Sequence, residues 1–281
     1  MTLDQNLVVR MGDRCYRVER PWGDPSEAHP LQLVSRIAVD SQGLVYAFQR
    51  ADPPIVVYRP DGSVQGSWGA GRLADPHGMT VSADDRVLLV DRDAHQILMF
   101  TTQGEEIGAI GTRHVPRFQV PFNHPTDVVV ASDGEIYVSD GYGNSVVHRF
   151  AANGTHLSTW GRPGSGPGEF TTPHAIAIDR RDRVLVADRE NNRIQLFDRT
   201  GAYLDEWGDV YHPMDIYVDD RGLTFVTDQI PRLSLFAPDG ELIGRSRAVW
   251  NGAHGLAGNA AGDLYLAEMQ PHRITRLARI D

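Results

Sequence analysis

The stretch HAIAIDRRDRVLVADRENNRIQLFDRTGAYLDEWG, residues 174–208, contains the pattern that determines the fold of this chain. It reads as a short apolar strand, an Asp-containing turn, a second apolar strand, an Asp-containing loop, a third strand that ends in an aromatic residue, a Gly turn and a fourth strand that ends in Trp-Gly. Apolar residues nowhere keep a 3.6-residue helical period, so the stretch predicts four short antiparallel strands.

The same pattern recurs along the chain. Full copies occupy residues 77–111, 126–161 and 214–244, a looser copy spans 36–69, and a copy at 254–281 stops after its third strand. The equivalent first-strand positions are Ser35, His77, Thr126, His174, Met214 and His254. Their spacings of 42, 49, 48, 40 and 40 residues predict an all-β, six-bladed β-propeller, because that fold uses four strands per repeat of this length.

The two ends of the chain are complementary. The last copy lacks a fourth strand, while residues 16–23 (YRVERPWG) end in Trp22-Gly23 as the fourth strands of other copies do. We therefore expect this N-terminal strand to complete blade six and close the ring without a free sheet edge. Residues 1–281 are predicted to form a single domain, in which the Gly/Pro-rich stretch 161–168 is a loop between blades.

Composition excludes several classes of function. All 27 basic residues are arginines, so a Schiff-base lysine and the lysine of a phosphate-binding loop are absent. The 37 acidic residues give a net charge of −10, which argues against a nucleic acid partner, and no apolar run is long enough for a membrane span. One cysteine, Cys15, and an N-terminus without an export pattern favour a cytoplasmic location.

Histidines occupy one repeat position in alternate blades. The first strand of each propeller blade lines the central channel, so equivalent positions form a ring around the axis. His77, His174 and His254 lie in blades two, four and six, and their imidazoles should converge from three sides. Any one of them could be an ordinary core histidine, but three at one position match a zinc site with an open coordination position.

A second ring follows fifteen residues later, in the loop after the second strand. It reads Arg50, Arg92, Gly141, Arg189, Gln229 and Met269, and it is preceded by Gln49, Asp91, Asp140, Asp188, Asp228 and Glu268. We expect the preceding, mostly acidic position to bind backbone N–H groups in the loops. The arginines could bind an anionic substrate near the metal, although Arg92 could equally brace a loop or lie in solvent. Tyr142 could reach the same mouth and transfer a proton.

Several motifs resemble those of one enzyme family. They are DPHGMTV (75–81), LVDRDAHQI (89–97), HPTDVVV (124–130), YVSDGYGNSVV (137–147), TPHAIAID (172–179) and VLVADRENNRIQLFD (184–198). Together they resemble the NHL-repeat propellers and, among these, the peptidyl-α-hydroxyglycine α-amidating lyases, which are six-bladed zinc enzymes that cleave an N-acyl hemiaminal to an amide and glyoxylate. The match is most specific in blades two to four.

This resemblance implies roles for individual residues. It implies zinc on His77, His174 and His254, the set that the repeat position indicates independently. It makes Tyr142 of DGYGNS the active-site tyrosine, and it makes Arg189 of ADREN and Arg50 the arginines that hold the substrate carboxylate. The implied activity is that of a metal-dependent carbon–nitrogen lyase with a small carboxylate substrate.

One departure from the family pattern concerns a second metal. The family has Met-Pro-His-Asp around its third zinc histidine, whereas residues 252–255 read Gly-Ala-His-Gly. The missing aspartate removes a side-chain ligand of the family's structural calcium and leaves backbone carbonyls near Ile37 and Met79, which counts against calcium here.

Two alternatives to the amidating lyase remain open at this stage. Another metal-dependent lyase or hydrolase could act on a small carboxylate such as ureidoglycolate, or on a lactone, with the same histidines. A non-catalytic NHL interaction propeller is the second alternative, but that class does not require histidines on alternate blades.

Overall fold

A computed structural model describes residues 7–24, 29–247 and 251–281. These residues form 25 β-strands in six antiparallel sheets, together with one three-residue 3-10 helix at Arg189–Asn191. None of the helices in the described ranges could span a membrane. Of the predicted 1–281 domain, residues 1–6, 25–28 and 248–250 lie outside the described residues.

Each sheet is one blade, and its strands follow one another outward from the axis. The innermost strands are β3 (Val34–Val39), β7 (Pro76–Val81), β11 (Asp127–Val130), β15 (Pro173–Ile178), β19 (Pro213–Val218) and β23 (Ala253–Gly258). The second strands are β4 (Val45–Gln49), β8 (Arg86–Asp91), β12 (Ile136–Asp140), β16 (Val184–Asp188), β20 (Thr224–Asp228) and β24 (Leu264–Glu268).

The third and fourth strands complete the blades. The third strands are β5 (Ile55–Tyr58), β9 (Gln96–Thr101), β13 (Val146–Phe150), β17 (Arg193–Phe197), β21 (Arg232–Phe236) and β25 (Arg273–Arg279). The fourth strands are β6 (Val64–Trp68), β10 (Glu106–Gly111), β14 (His156–Trp160), β18 (Tyr203–Trp207), β22 (Leu242–Arg247) and β2 (Arg14–Trp22). Each innermost strand contacts the innermost strand of the next blade, and β23 contacts β3, so the predicted six-bladed ring is confirmed.

Closure occurs where the sequence predicts it. The N-terminal strand β2 pairs antiparallel with β25, with Tyr16 opposite Arg279 and Trp22 opposite Ile274. Blade six therefore combines both ends of the chain. Sequence reasoning missed one element here, the strand β1 (Val8–Met11), which adds a fifth strand outside β2. Its alternation of exposed and buried residues is only four residues long, which is too short a pattern to recognise as a strand.

The hydrophobic core is divided among the interfaces between neighbouring blades. Six clusters of buried side chains each join residues of two adjacent blades. Because each sheet is apolar on both faces, packing against a blade on either side removes both faces from water. At the closing interface Trp22 packs with its ring centroid 5.7 Å from Tyr58 of blade one and 4.9 Å from Tyr265 of blade six. This indole thus joins the two ends of the ring.

A polar residue at the end of each second strand positions the loop that leads into the channel. It accepts a hydrogen bond from a backbone N–H sixteen or seventeen residues earlier, as predicted for this repeat position. The pairs are Gln49 with Gln32, Asp91 with Asp75, Asp140 with Asn123, Asp188 with Thr171, Asp228 with Tyr211 and Glu268 with Asn251. These bonds fix the backbone just before every innermost strand.

We expect Trp22→Ala to destabilise the ring at its closing interface. The change removes a buried indole and leaves a cavity between blades six and one, which costs about 3–5 kcal/mol and lowers Tm by roughly 5–15 °C. Thermal unfolding followed by circular dichroism measures the shift. Val8→Ala, on the exposed face of β1, is the matched control and should change Tm little. Equal Tm values for the two variants would contradict this role of Trp22.

Candidate metal centre

The three predicted histidines lie at the start of the innermost strands of their blades. The pairing between the first and second strands is irregular at this level in five blades. The irregularity lies between Pro76 and Met79, Pro173 and Ala175, and Ala253 and Gly255 in blades two, four and six, and between Val34 and Arg36 and Pro213 and Asp215 in blades one and five. An extra residue in one strand of a pair bends that strand and redirects its side chains. The irregularity thus bends the inner strands at the level of the first ring, and in blades two, four and six the bend contains a histidine.

The three predicted histidines meet on the axis. Within the described ranges, His77, His174 and His254 form the one group of three potential ligands, and their nitrogen ligand atoms lie within 4.8 Å of one another. Their ring centroids are 5.0–5.1 Å apart, and all three side chains are buried. The structure therefore brings together residues 97 and 80 positions apart in sequence.

Backbone carbonyls of the intervening blades orient these imidazoles. Nδ1 of His77 lies 2.6 Å from the Thr126 carbonyl oxygen, Nδ1 of His174 lies 2.7 Å from that of Met214, and Nδ1 of His254 lies 2.8 Å from that of Ser35. A carbonyl oxygen only accepts, so each Nδ1 carries the proton and donates it. Each Nε2 then has a lone pair available, and the ring orientation is fixed as in metal-binding histidines.

Burial keeps the cluster uncharged. Removal from water lowers the pKa of His77 and of His174 well below the ordinary value, and it lowers the pKa of His254 to about 3. Mutual repulsion and nearby arginines act in the same direction, among them Arg50 on His77 and Arg189 on His174. Neutral imidazoles are the form that binds a metal ion, so the cluster is ready for one at neutral pH.

Tyr142 lies directly over this cluster. Its hydroxyl is 3.1 Å from Nε2 of His77 and 3.1 Å from Nε2 of His174, and it accepts a hydrogen bond of 3.3 Å from an Nη of Arg189. The neighbouring Gly141 makes this approach feasible, because a Cβ there would collide with the carbonyl oxygen of Pro173. Position 141 of the second ring therefore requires glycine, so that the loop carrying Tyr142 can pack against Pro173.

The three predicted arginines also lie at this mouth, in different surroundings. Arg189 and Arg92 each place a guanidinium 5.4 Å from the centre of the Tyr142 ring. Arg189 is held by Glu190 at 2.8 Å, whereas Arg92 pairs with Asp75 at 2.6 Å. Sequence reasoning missed Asp75 and Glu190, although both stand inside the motifs DPHG and ADREN.

Arg50 completes the group from blade one. Its Nε donates to the Pro76 carbonyl oxygen at 3.2 Å and lies 3.5 Å from Asp75. The same aspartate therefore bridges Arg50 and Arg92, while Arg50 also borders the histidine cluster. Two guanidiniums on opposite sides of the histidines, Arg50 and Arg189, are accordingly the pair suited to hold an anion there.

The donor set fits zinc. Three neutral imidazole nitrogens are a ligand set that catalytic zinc sites use, and here a tyrosine hydroxyl, not a fourth protein ligand, faces the cluster. The predicted surroundings of a calcium ion do not fit. The Met79 carbonyl oxygen accepts a hydrogen bond of 3.4 Å from Nε of Arg36, and a guanidinium offers no lone pair to a cation.

These features define a class: a closed six-bladed propeller with three buried imidazoles and a tyrosine at one channel mouth. A family model described as a 6-bladed beta-propeller matches residues 120–232. NHL repeat-containing protein 3 of Mus musculus is 30% identical over 258 residues, which is 86% of this chain and 70% of that protein.

Two further comparisons give one relative by sequence and one solved structure of the same fold. A probable peptidyl-α-hydroxyglycine α-amidating lyase of Caenorhabditis elegans is 28% identical over 87% of this chain and 82% of its own length. A solved gluconolactonase structure from Xanthomonas campestris shares the fold, with a TM-score of 0.74 and 18% identity over 96% of this chain and 91% of that chain. The chain belongs to the family of NHL-repeat six-bladed propellers that includes NHL repeat-containing protein 3 and the amidating lyases.

We expect single replacement of His77, His174 or His254 by alanine to abolish stable zinc binding, because two imidazoles cannot hold the ion as three do. Elemental analysis of purified, zinc-supplemented protein measures the metal per chain. His114→Ala, on an exposed loop, should retain the metal content of the unchanged protein. Full zinc occupancy in all three cluster variants would place the metal elsewhere.

Proposed function

We propose that this protein is a zinc-dependent lyase that cleaves an N-acyl hemiaminal, an α-hydroxyglycine-type substrate, to an amide and glyoxylate. The observation that carries the proposal is the position of the Tyr142 hydroxyl, within 3.1–3.3 Å of two imidazole Nε2 atoms and of the Arg189 guanidinium. A proton-transfer group, a metal-binding cluster and a carboxylate-binding group thereby share one small volume. The amidating lyases among the relatives support the same reaction class.

The arginines would bind the substrate through its carboxylate. Arg189 and Arg50 stand on either side of the histidine cluster, and a guanidinium pairs well with a planar carboxylate. Glu190 and Asp75 hold these side chains in place before substrate arrives, which reduces the entropy lost on binding. The carboxylate so placed would direct the carbon that bears the hydroxyl and the nitrogen toward Tyr142.

The reaction moves one proton and breaks one bond. The substrate hydroxyl loses its proton, its oxygen forms the aldehyde C=O of glyoxylate, and the C–N bond breaks while the amide nitrogen gains a proton. The Tyr142 hydroxyl would carry this proton between oxygen and nitrogen, and Arg189, which donates a hydrogen bond to it, would stabilise negative charge on the phenol oxygen. Zinc held by the three histidines would supply a Lewis acid that polarises the hydroxyl oxygen.

The substrate assay separates this proposal from its alternatives. We expect zinc-loaded protein to release glyoxylate from α-hydroxyhippurate, which presents an N-acyl group, faster than from ureidoglycolate. A faster reaction with ureidoglycolate would keep the carbon–nitrogen lyase but change its substrate. Absence of glyoxylate from both, in protein that binds zinc, would contradict the proposed reaction. Absence of both zinc and activity would favour a non-catalytic interaction propeller.

We expect Tyr142→Phe to lower kcat by about 10²–10⁴-fold, because the variant keeps the ring beside Arg92 and Arg189 but loses the hydroxyl that moves the proton. Glyoxylate release under saturating substrate measures kcat, and elemental analysis in parallel should show unchanged zinc. Tyr203→Phe, on the outer strand β18, is the control and should retain full activity. An unchanged kcat in Tyr142→Phe would remove Tyr142 from the proton transfer.

A further inference from the structure

A second alternating ring lies one residue deeper in the channel than the histidines. The positions that follow the first ring are Arg36, Gly78, Asp127, Ala175, Asp215 and Gly255. Charged residues occupy blades one, three and five, while the blades that carry histidine have only Gly or Ala at this position. The alternation is visible in the sequence, but its meaning depends on which side chains reach across the axis.

Arg36 crosses the channel between the two aspartates. One Nη lies 2.9 Å from a carboxylate oxygen of Asp127, the other contacts a carboxylate oxygen of Asp215, and Nε donates to the Met79 carbonyl oxygen at 3.4 Å. The arginine is 9% exposed and the aspartates 1% and 0%. A side chain from blade one thus binds blades two, three and five at once.

The aspartates extend these contacts to the remaining blades. Asp127 accepts a hydrogen bond of 3.1 Å from the backbone N–H of Ile176 in blade four. Asp215 accepts one of 2.5 Å from the backbone N–H of Leu256 in blade six. All six innermost strands are therefore connected through one guanidinium and two carboxylates.

The small residues of this ring make room for the charged ones. A Cβ at Gly255 would lie 2.8 Å from Cα of Arg36, and a Cβ at Gly78 would lie 2.7 Å from Oδ1 of Asp127. The Arg36 backbone and a side chain at position 255 cannot coexist in this packing. Gly255 is thus required by the close approach of the blade one backbone, and Gly78 lies against the carboxylate of Asp127.

Beyond Arg36 the channel contains a cavity whose described lining residues are uncharged apart from Arg36. This cavity of about 210 Å³ continues on the side away from the histidines. Its walls include Ile37, Val128, Ile176 and Leu256. The guanidinium thus lies between this cavity and the histidine layer. Among the described residues, no other cation pairs with Asp127 or Asp215.

We propose that Arg36 is a built-in cation that holds the six innermost strands together, so that the ring is stabilised without a divalent ion at this level of the channel. A guanidinium satisfies two carboxylates and a carbonyl oxygen, the same kinds of oxygen ligand that calcium takes. Removal of the guanidinium would leave these two buried carboxyl groups without their positive partner, which is destabilising because a buried uncompensated charge is costly. This inference does not depend on the proposed reaction.

The test compares thermal unfolding of zinc-loaded protein with and without calcium chloride, after dialysis into calcium-free, zinc-containing buffer. We expect the Tm of the unchanged protein to be independent of calcium. Arg36→Ala should lower Tm by roughly 10 °C, and calcium should restore part of this loss in a saturable way, because the vacated site retains two carboxylates and a carbonyl oxygen. Magnesium, which demands a tighter geometry, should restore less.

A matched control tests whether calcium rescue is specific to the two-carboxylate site. Arg14 is also buried and pairs at 2.6 Å with one carboxylate, that of Asp219, away from the axis. Arg14→Ala should also lower Tm but should not respond to calcium. A calcium response of the same size in Arg14→Ala would attribute the rescue to non-specific binding and overturn the proposal.

Other outcomes also decide the matter. A saturable rise in the Tm of the unchanged protein with calcium would overturn the proposal. It would also be overturned if Arg36→Ala were as stable as the unchanged protein, or if it were destabilised but insensitive to calcium. Should Arg36→Ala be insoluble, the neutral triple variant Arg36→Met/Asp127→Asn/Asp215→Asn decides. It should fold independently of calcium because no uncompensated charge remains, and its failure to fold would overturn the proposal.

Discussion

Closure of the ring between the last blade and the first is the constraint on which the rest of this structure depends. Strand β2 pairs with β25, and Trp22 packs between Tyr58 and Tyr265. The closed ring brings His254 of blade six close enough to donate to the Ser35 carbonyl oxygen of blade one, at 2.8 Å. One of the three oriented histidines is thus positioned across the closing interface, so that an open ring would leave the cluster with an imidazole of undefined direction. Fold stability and site geometry are coupled at this interface.

Six similar blades support a site with threefold alternation. In the upper layer the even blades supply imidazoles and the odd blades supply the carbonyl oxygens that orient them. In the layer below, the odd blades supply Arg36, Asp127 and Asp215, and the even blades supply small residues that allow the close approach. Each even blade therefore contributes a large side chain at the upper level and a small one at the lower level, and Arg36, Asp127 and Asp215 of the odd blades fill the lower level. This division is how a narrow channel holds a neutral cluster above a charged one.

The mouth above the histidines is organised before any ligand binds. Asp75 holds Arg50 and Arg92, and Glu190 holds Arg189. The hydrogen bonds to Asp91 and Asp188 fix the loops that carry these groups into the channel. Rigid loops and paired side chains lose little entropy on binding, which suits recognition of a small carboxylate. The acidic partners also explain how Arg92 and Arg189 can both lie against the Tyr142 ring while Arg50 shares Asp75 with Arg92.

The sequence by itself determined the repeat, the number of blades, the closing strand and the positions of His77, His174 and His254, because strand periodicity and repeat spacing are local properties that fix which residues become equivalent. It also indicated Tyr142 and the arginines as neighbours of that ring. Only the tertiary structure decided that Arg36 reaches Asp127 and Asp215, and that Asp75 pairs with both Arg50 and Arg92. It also decided that β1 adds a fifth strand to blade six. Contacts across the axis join residues of different blades, and their geometry depends on strand irregularities and on the closed ring, neither of which a repeat pattern specifies.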